Sequence, residues 1–186
     1  MPTLTPHVIG YYDIPDPSNG LVCGSANVGH YGPFGVGDTR YIIARTYFTG
    51  ELNMWKSPDG GVTWGIADKV GNKEFYTDGQ YCGILLGTVI HVFYVGAGRV
   101  ICYSTFDTVT DTWGSTISSS IVAHMSNANS NSVVFAAPRP DGSFVVVYSE
   151  ETMAGIYPVS SCKYVIFDGS WGSPVSFRPP ATVDFQ

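Results

Sequence analysis

With 9 Lys and Arg against 15 Asp and Glu in 186 residues, the chain carries a net charge of −6 and contains no basic run, which excludes a nucleic-acid backbone as its partner on electrostatic grounds. Charged residues make up only 13% of the chain while hydrophobic residues reach 44% and aromatic ones 14%, so the surface must be built largely from Ser, Thr, Asn, Gly and Tyr. No stretch approaches the ~18 consecutive apolar residues of a membrane span, and the length suits one domain with one core.

The segment from Met1 to Pro6 lacks the charged and apolar regions of an export signal. A surface of this make-up fits an extracellular or virion setting. Cys23, Cys82, Cys102 and Cys162 form no C-x-x-C pair, which argues against a zinc site. The last three lie in strand-like runs, where buried free thiols are expected.

Residues 1–19 read as an arm: a single strand-like run around His7–Tyr12, then a loop rich in Pro and Asp. From residue 20 the chain becomes periodic. Short runs of β-branched and aromatic residues alternate with Gly, Asp-Gly or Ser/Asn clusters, and no helical period appears. An all-β domain over 20–186 is expected, with helix almost absent.

Within it three units repeat, about 20–70, 71–120 and 121–178. Each has a strand, a second strand ending in Asp, a tight turn, and a Trp opening a further strand. In the first, Thr39–Phe48 and Leu52–Ser57 lead into Ser57-Pro58-Asp59-Gly60-Gly61-Val62-Thr63-Trp64. In the second, Thr88–Val95 and Arg99–Asp107 lead to Trp113. In the third, Ser143–Tyr148 and Cys162–Asp168 lead to Trp171. An innermost strand is expected upstream of each pair: within Leu21–Val28, with a Gly-rich connection over Gly29–Gly37, then at Gln80–Leu86 and Ser132–Ala137. Ser118–Ser132 and Glu150–Pro158 read as long loops.

The turn chemistry explains itself. Asp59 accepts from backbone N–H groups further along, Gly60 and Gly61 take positive φ, and Thr63 ties the far side. Trp64 supplies a large apolar lid with one donor. The Ser-x-Asp-x-Gly-x-Thr-Trp frame of Ser57, Asp59, Gly61, Thr63 and Trp64 resembles the Asp-box, or BNR repeat, of sialidase-type β-propellers. Asp107 with Trp113 and Asp168 with Trp171 stand at equivalent positions in degenerate copies. The tryptophans fall roughly 50 and 60 residues apart, near the ~40–50 of known blades.

The resemblance implies a β-propeller-like array of about three four-stranded antiparallel blades, with the box turning between the third and fourth strands on the side away from an active site. Sialidases use three arginines, a tyrosine nucleophile with a glutamate, and an aspartate acid/base. Arg45 and Arg99, expected on blade strands, together with Glu150, Glu151, Tyr157 and Arg178, are the candidates here. Phe177-Arg178-Pro179-Pro180 is similar to the family's Phe-Arg-Ile-Pro motif, but departs at its third residue and follows the blades instead of preceding them.

Three blades supply only part of a ring, so a complete catalytic set is not expected. No nucleophile elbow, P-loop or metal-ligand spacing is present, His91 reads as a core histidine, and no cofactor or metal is indicated. The expectation is a non-catalytic module that contacts glycan or protein. The alternative is a sialidase-type glycoside hydrolase whose site another chain completes. Propellers close with about four to eight blades. Self-association, for instance two copies in a six-bladed ring, or incorporation into a larger assembly is therefore expected.

Overall fold

The computed structural model describes residues 30–45, 51–67, 73–74, 81–96, 98–123, 134–154 and 157–177; the expected arm and the Leu21–Val28 strand lie outside them. Among the described residues every regular element is a strand, and these form three antiparallel sheets. No helix among the described residues is long and apolar enough to cross a membrane.

The first sheet runs β1 (His30–Val36), β2 (Thr39–Arg45), β3 (Glu51–Ser57) and β4 (Gly65–Ile66), with β5 (Lys73–Glu74) pairing the start of β3. The second runs β6 (Tyr81–Leu86), β7 (Val89–Val95) and β8 (Val100–Asp107), whose outer edge takes both β9 (Thr112–Trp113) and β10 (Ile117–Val122). The third runs β11 (Val134–Pro138), β12 (Phe144–Ala154), β13 (Tyr157–Phe167) and β14 (Val175–Ser176). The innermost strands β1, β6 and β11 neighbour one another in that order, which makes the array propeller-like.

Strand alternation decides which face meets which sheet. On β7, Ile90, Val92 and Tyr94 join Tyr41, Ile43, Leu52 and Met54 of the first sheet in one buried cluster. The intervening Phe93 and Val95 join Phe144, Val146, Tyr148, Val165 and Phe167 of the third sheet in another. The middle sheet is thus apolar on both faces. The outer face of the first sheet holds Ile42, Ala44, Trp55 and Trp64, all buried.

Four sequence expectations need correction. Within the expected Gly29–Gly37 connection, His30–Val36 form the innermost strand β1. Its alternation is broken by a register shift between Tyr31 and Phe34, where Gly32 sits at φ +128° and a Cβ would stand 2.9 Å from the Tyr41 carbonyl oxygen. The expected loop at Ser118–Ser132 begins as strand, because β10 continues to Val122 against β8; Ser118 pairs with Cys102, and the register shifts between Ser118 and Val122. The expected Glu150–Pro158 loop is continuous ladder out to Ala154 opposite Tyr157. Cys162 is an exposed thiol, whereas Cys82 and Cys102 are buried; it falls on the outward face of the last sheet.

Gly83 marks the closest approach between the first two sheets. A Cβ there would lie 2.6 Å from the Phe34 ring and 2.7 Å from Ile43 Cδ1, inside a packed core where neither yields cheaply. Gly83→Ala is predicted to destabilise by about 1–3 kcal/mol in a denaturant titration. Gly65→Ala, where an added Cβ meets nothing within 4 Å, should stay within about 0.5 kcal/mol of the parent.

Candidate functional site

In an antiparallel meander alternate connections fall at opposite ends, so each sheet has two rims. The β1–β2, β6–β7 and β11–β12 turns share one rim with β3–β4, β8–β9 and β13–β14. The β2–β3, β7–β8 and β12–β13 connections lie on the other. The sheets are aligned alike: the Tyr41 hydroxyl at the start of β2 lies 3.0 Å from the Thr108 carbonyl oxygen in the β8–β9 turn, and the His91 ring at the start of β7 packs 4.9 Å from Phe144 at the start of β12.

On the first rim Asp59 organises its turn. Its Oδ1 accepts from Ser57 Oγ at 2.7 Å, Val62 N at 3.1 Å and Thr63 N at 2.8 Å, and Oδ2 accepts from Thr63 Oγ1 at 2.7 Å. Ser57 Oγ in turn accepts from Gly61 N at 2.7 Å. Trp64 folds back to donate Nε1–H to the Gly61 carbonyl at 3.0 Å. The Thr63 N–H, then its hydroxyl and that of Ser57, hold the exposed Asp59 carboxyl down at about 2. Asp107 accepts from Val109 N at 2.7 Å, and Asp168 from Ser170 N at 3.1 Å. Trp113 packs edge-on against Phe106, while Trp171 donates to the Ile117 carbonyl of the neighbouring sheet at 3.2 Å.

The same rim carries a clasp that sequence reasoning missed. The Tyr41 hydroxyl lies 2.9 Å from Asp111 Oδ1, and Lys56 Nζ pairs with Asp111 Oδ2. Burial, then the Asp111 carboxylate, raises the Tyr41 phenol well above its ordinary range. Asp111 reads in sequence only as a turn residue. Nothing local ties it to a tyrosine two strands into the previous sheet.

The other rim collects the candidate binding residues. Arg45 ends β2, at the register of Leu52. Arg99 does not lie on a strand as expected: it precedes β8 in the tight turn at φ +64°, its N–H donating to Gly96 O at 3.0 Å and its carbonyl accepting from Ala123 N at 2.9 Å. Glu150 is ion-paired with Lys163 of β13. Glu151 opposes Ser160 and Tyr157 opposes Ala154, so Tyr157 stands three and four register positions from Glu151 and Glu150, roughly 10 and 14 Å along the ladder. Arg178 lies outside the described residues.

The tyrosine nearest to Glu150 on its own side of β12 is Tyr148. It is 1% exposed, and its hydroxyl has no hydrogen-bond partner. Burial, then the Glu150 charge, pushes the phenol up to about 12. Tyr148 therefore belongs to the core shared with Val146 and Val165. His91 Nδ1 lies 2.7 Å from the Tyr103 hydroxyl, and burial lowers its pKa, as suits a core histidine. Among the described residues no three His, Cys, Asp or Glu side chains converge as a metal site.

No protein-family model matches the chain, and no curated protein sequence does. Several solved structures resemble it, among them the following two. The crystal structure of a thermostable family-43 glycoside hydrolase is 16% identical over 84% of this chain and 55% of that one, with a TM-score of 0.49. A structure described as NanB plus Optactamide is 19% identical over 73% of this chain and 21% of that one, with a TM-score of 0.45. The chain spans little more than half of the first (55%) and about a fifth of the second (21%).

Because the folded Asp59 carboxyl titrates at about 2, below its ordinary 3.8, its contribution is full above about pH 4 and disappears as pH falls through about 2. Asp59→Ala is therefore predicted to lower the thermal midpoint at pH 7, and the gap to the parent should close between pH 4 and pH 2. A gap independent of pH would remove the carboxylate from the account.

Proposed function

We propose that the chain is a segment of a sialidase-type propeller with one full Asp-box, at Ser57–Trp64, and two degenerate ones, acting as a non-catalytic binding or assembly module. Its ligand is a glycan or a partner protein, met at the rim that carries Arg45, Arg99, Glu150, Glu151 and Tyr157. Arg178, outside the described residues, remains a candidate for contact with the same ligand. Tyrosine faces stack on sugar rings or protein side chains, while short polar groups bond hydroxyls. The box rim serves stability, and an extracellular or virion setting suits the surface.

The observation that carries this reading is the state of the Tyr–Glu chemistry at the rim. Glu150 is held by Lys163, and the neighbouring Tyr148 is 1% exposed, its hydroxyl closed off in the core. A hydrolase of sialidase type needs the opposite: an accessible tyrosine whose proton a free carboxylate draws away.

The test pairs a fluorogenic sialoside assay with a glycan array, using the parent, Arg45→Ala, Arg99→Ala and Tyr157→Phe. The expected result is no turnover above buffer, and glycan retention that falls at least several-fold in the arginine variants but not in Asp59→Ala. Turnover that falls in those variants would instead establish the hydrolase reading. A silent array with a defined protein recovered by pull-down would narrow the function to assembly.

A further inference from the structure

The two ends of the array differ. At the first, the outer face of its sheet is closed: Ile42 is 1% exposed, Ala44 2% and Trp55 3%. At the last, the corresponding face is open. Register places Phe135, Val147, Tyr164 and Val175 in one row across all four strands of the third sheet. A second row, Ala137, Val145 and Ile166, runs beside it. Phe135 is 52% exposed, Val175 44%, and Phe177, whose ring meets Tyr164 edge-on, 58%. Neither row contains a charged residue. The Lys163–Glu150 pair sits at alternate positions, on the side turned towards the core.

We propose that this open face binds a second copy of the chain through the same face, forming a twofold dimer. The proposal deepens the assembly part of the reading above, and rests on it for the partner's role only. Four strands about 4.8 Å apart and five residues deep at about 3.4 Å cover roughly 300 Å² in plan, the size at which an apolar patch marks an interaction surface. With side-chain relief, two such faces bury on the order of 1,000 Å² in total, near the lower end for specific interfaces.

Three observations select a second copy in this orientation. A head-to-tail contact would have to seat the open face on the outer face of another copy's first sheet, which is already closed. Two identical uncharged sheets pack face to face about 10 Å apart in the aligned mode, and a self-complementary patch closes as a twofold pair without leaving an open end. Neither row brings like charges together across a twofold pair, whereas a net charge of −6 disfavours contact of two copies through charged surfaces.

Cys162 reports on the contact. It is exposed and shares the open face, one register step from Tyr164 along β13, while Cys82 and Cys102 are buried. Sedimentation velocity on the full chain from 1 to 200 μM, with maleimide labelling in parallel, tests the proposal; the Cys162 rate is obtained by difference from Cys162→Ser. The expected result is a monomer–dimer transition, with Cys162 labelling slowed at least threefold in the dimer. Phe135→Glu and Val175→Glu, at positions exposed enough to accept charge without unfolding, should hold the chain monomeric with unchanged circular dichroism. Val109→Glu, exposed on the opposite rim, should leave the transition unchanged.

A monomer throughout the range overturns the proposal, as does dimerisation indifferent to Phe135→Glu and Val175→Glu, unprotected Cys162, or growth beyond the dimer. If a monomer still retains glycan on the array, only the dimer fails and the binding reading stands. A dimer with a silent array and no protein recovered keeps this proposal and removes that reading.

Discussion

A β-sheet with apolar side chains on both faces cannot stand alone in water, and the middle sheet of this chain is such a sheet. β7 buries every residue from Val92 to Val95, sending Val92 and Tyr94 one way and Phe93 and Val95 the other. Each such side chain gains about 1.5–3 kcal/mol from full burial, and chain entropy opposes most of the sum. Both faces must therefore be covered. The first and third sheets are the covers, aligned by the close approach at Gly83 on one side and by the packing of Phe93 against Phe144 and Phe167 on the other. The same rule then applies to the outermost faces, one of which is closed and one open.

Under the proposed function, stability and recognition fall on different rims. The rim of the Asp59, Asp107 and Asp168 turns is occupied with its own hydrogen bonds and with the Tyr41–Asp111–Lys56 clasp between sheets. Its polar groups are committed to holding the array together. The opposite rim is built from the β7–β8 turn and the ends of β2 and β12–β13. Binding chemistry placed there acts on a scaffold fixed from the far side.

Much of the fold was legible because its central strands carry strong apolar runs. Ile42–Ala44, Val89–Val95 and Val100–Phe106 read as strands from composition alone, and Asp59-Gly60-Gly61 names its own turn. β1 was hidden because Gly32 and Gly35 break its apolar pattern. β10 was hidden because Ser118-Ser119-Ser120 reads as loop, though Ser118 pairs with Cys102 in the ladder. The β12–β13 hairpin looked like an insertion because Glu150-Glu151-Thr152 is polar, though the ladder needs only backbone groups. The site was less legible for a different reason. Tyr41 and Asp111 meet across 70 residues, and Tyr148 lies closer to Glu150 than Tyr157 does because register, not sequence proximity to a loop, decides what shares a side. Cys162 sat in an apolar run like its two buried counterparts; which face it occupied depended on the same register.

If the middle sheet depends on its neighbours for cover, the three sheets cannot unfold separately. Differential scanning calorimetry at a concentration where the chain is monomeric measures this directly. One transition, with calorimetric and van't Hoff enthalpies equal, is the predicted result. Two or three resolved transitions, or a calorimetric enthalpy well above the van't Hoff value, would show sheets that stand independently and would contradict the account.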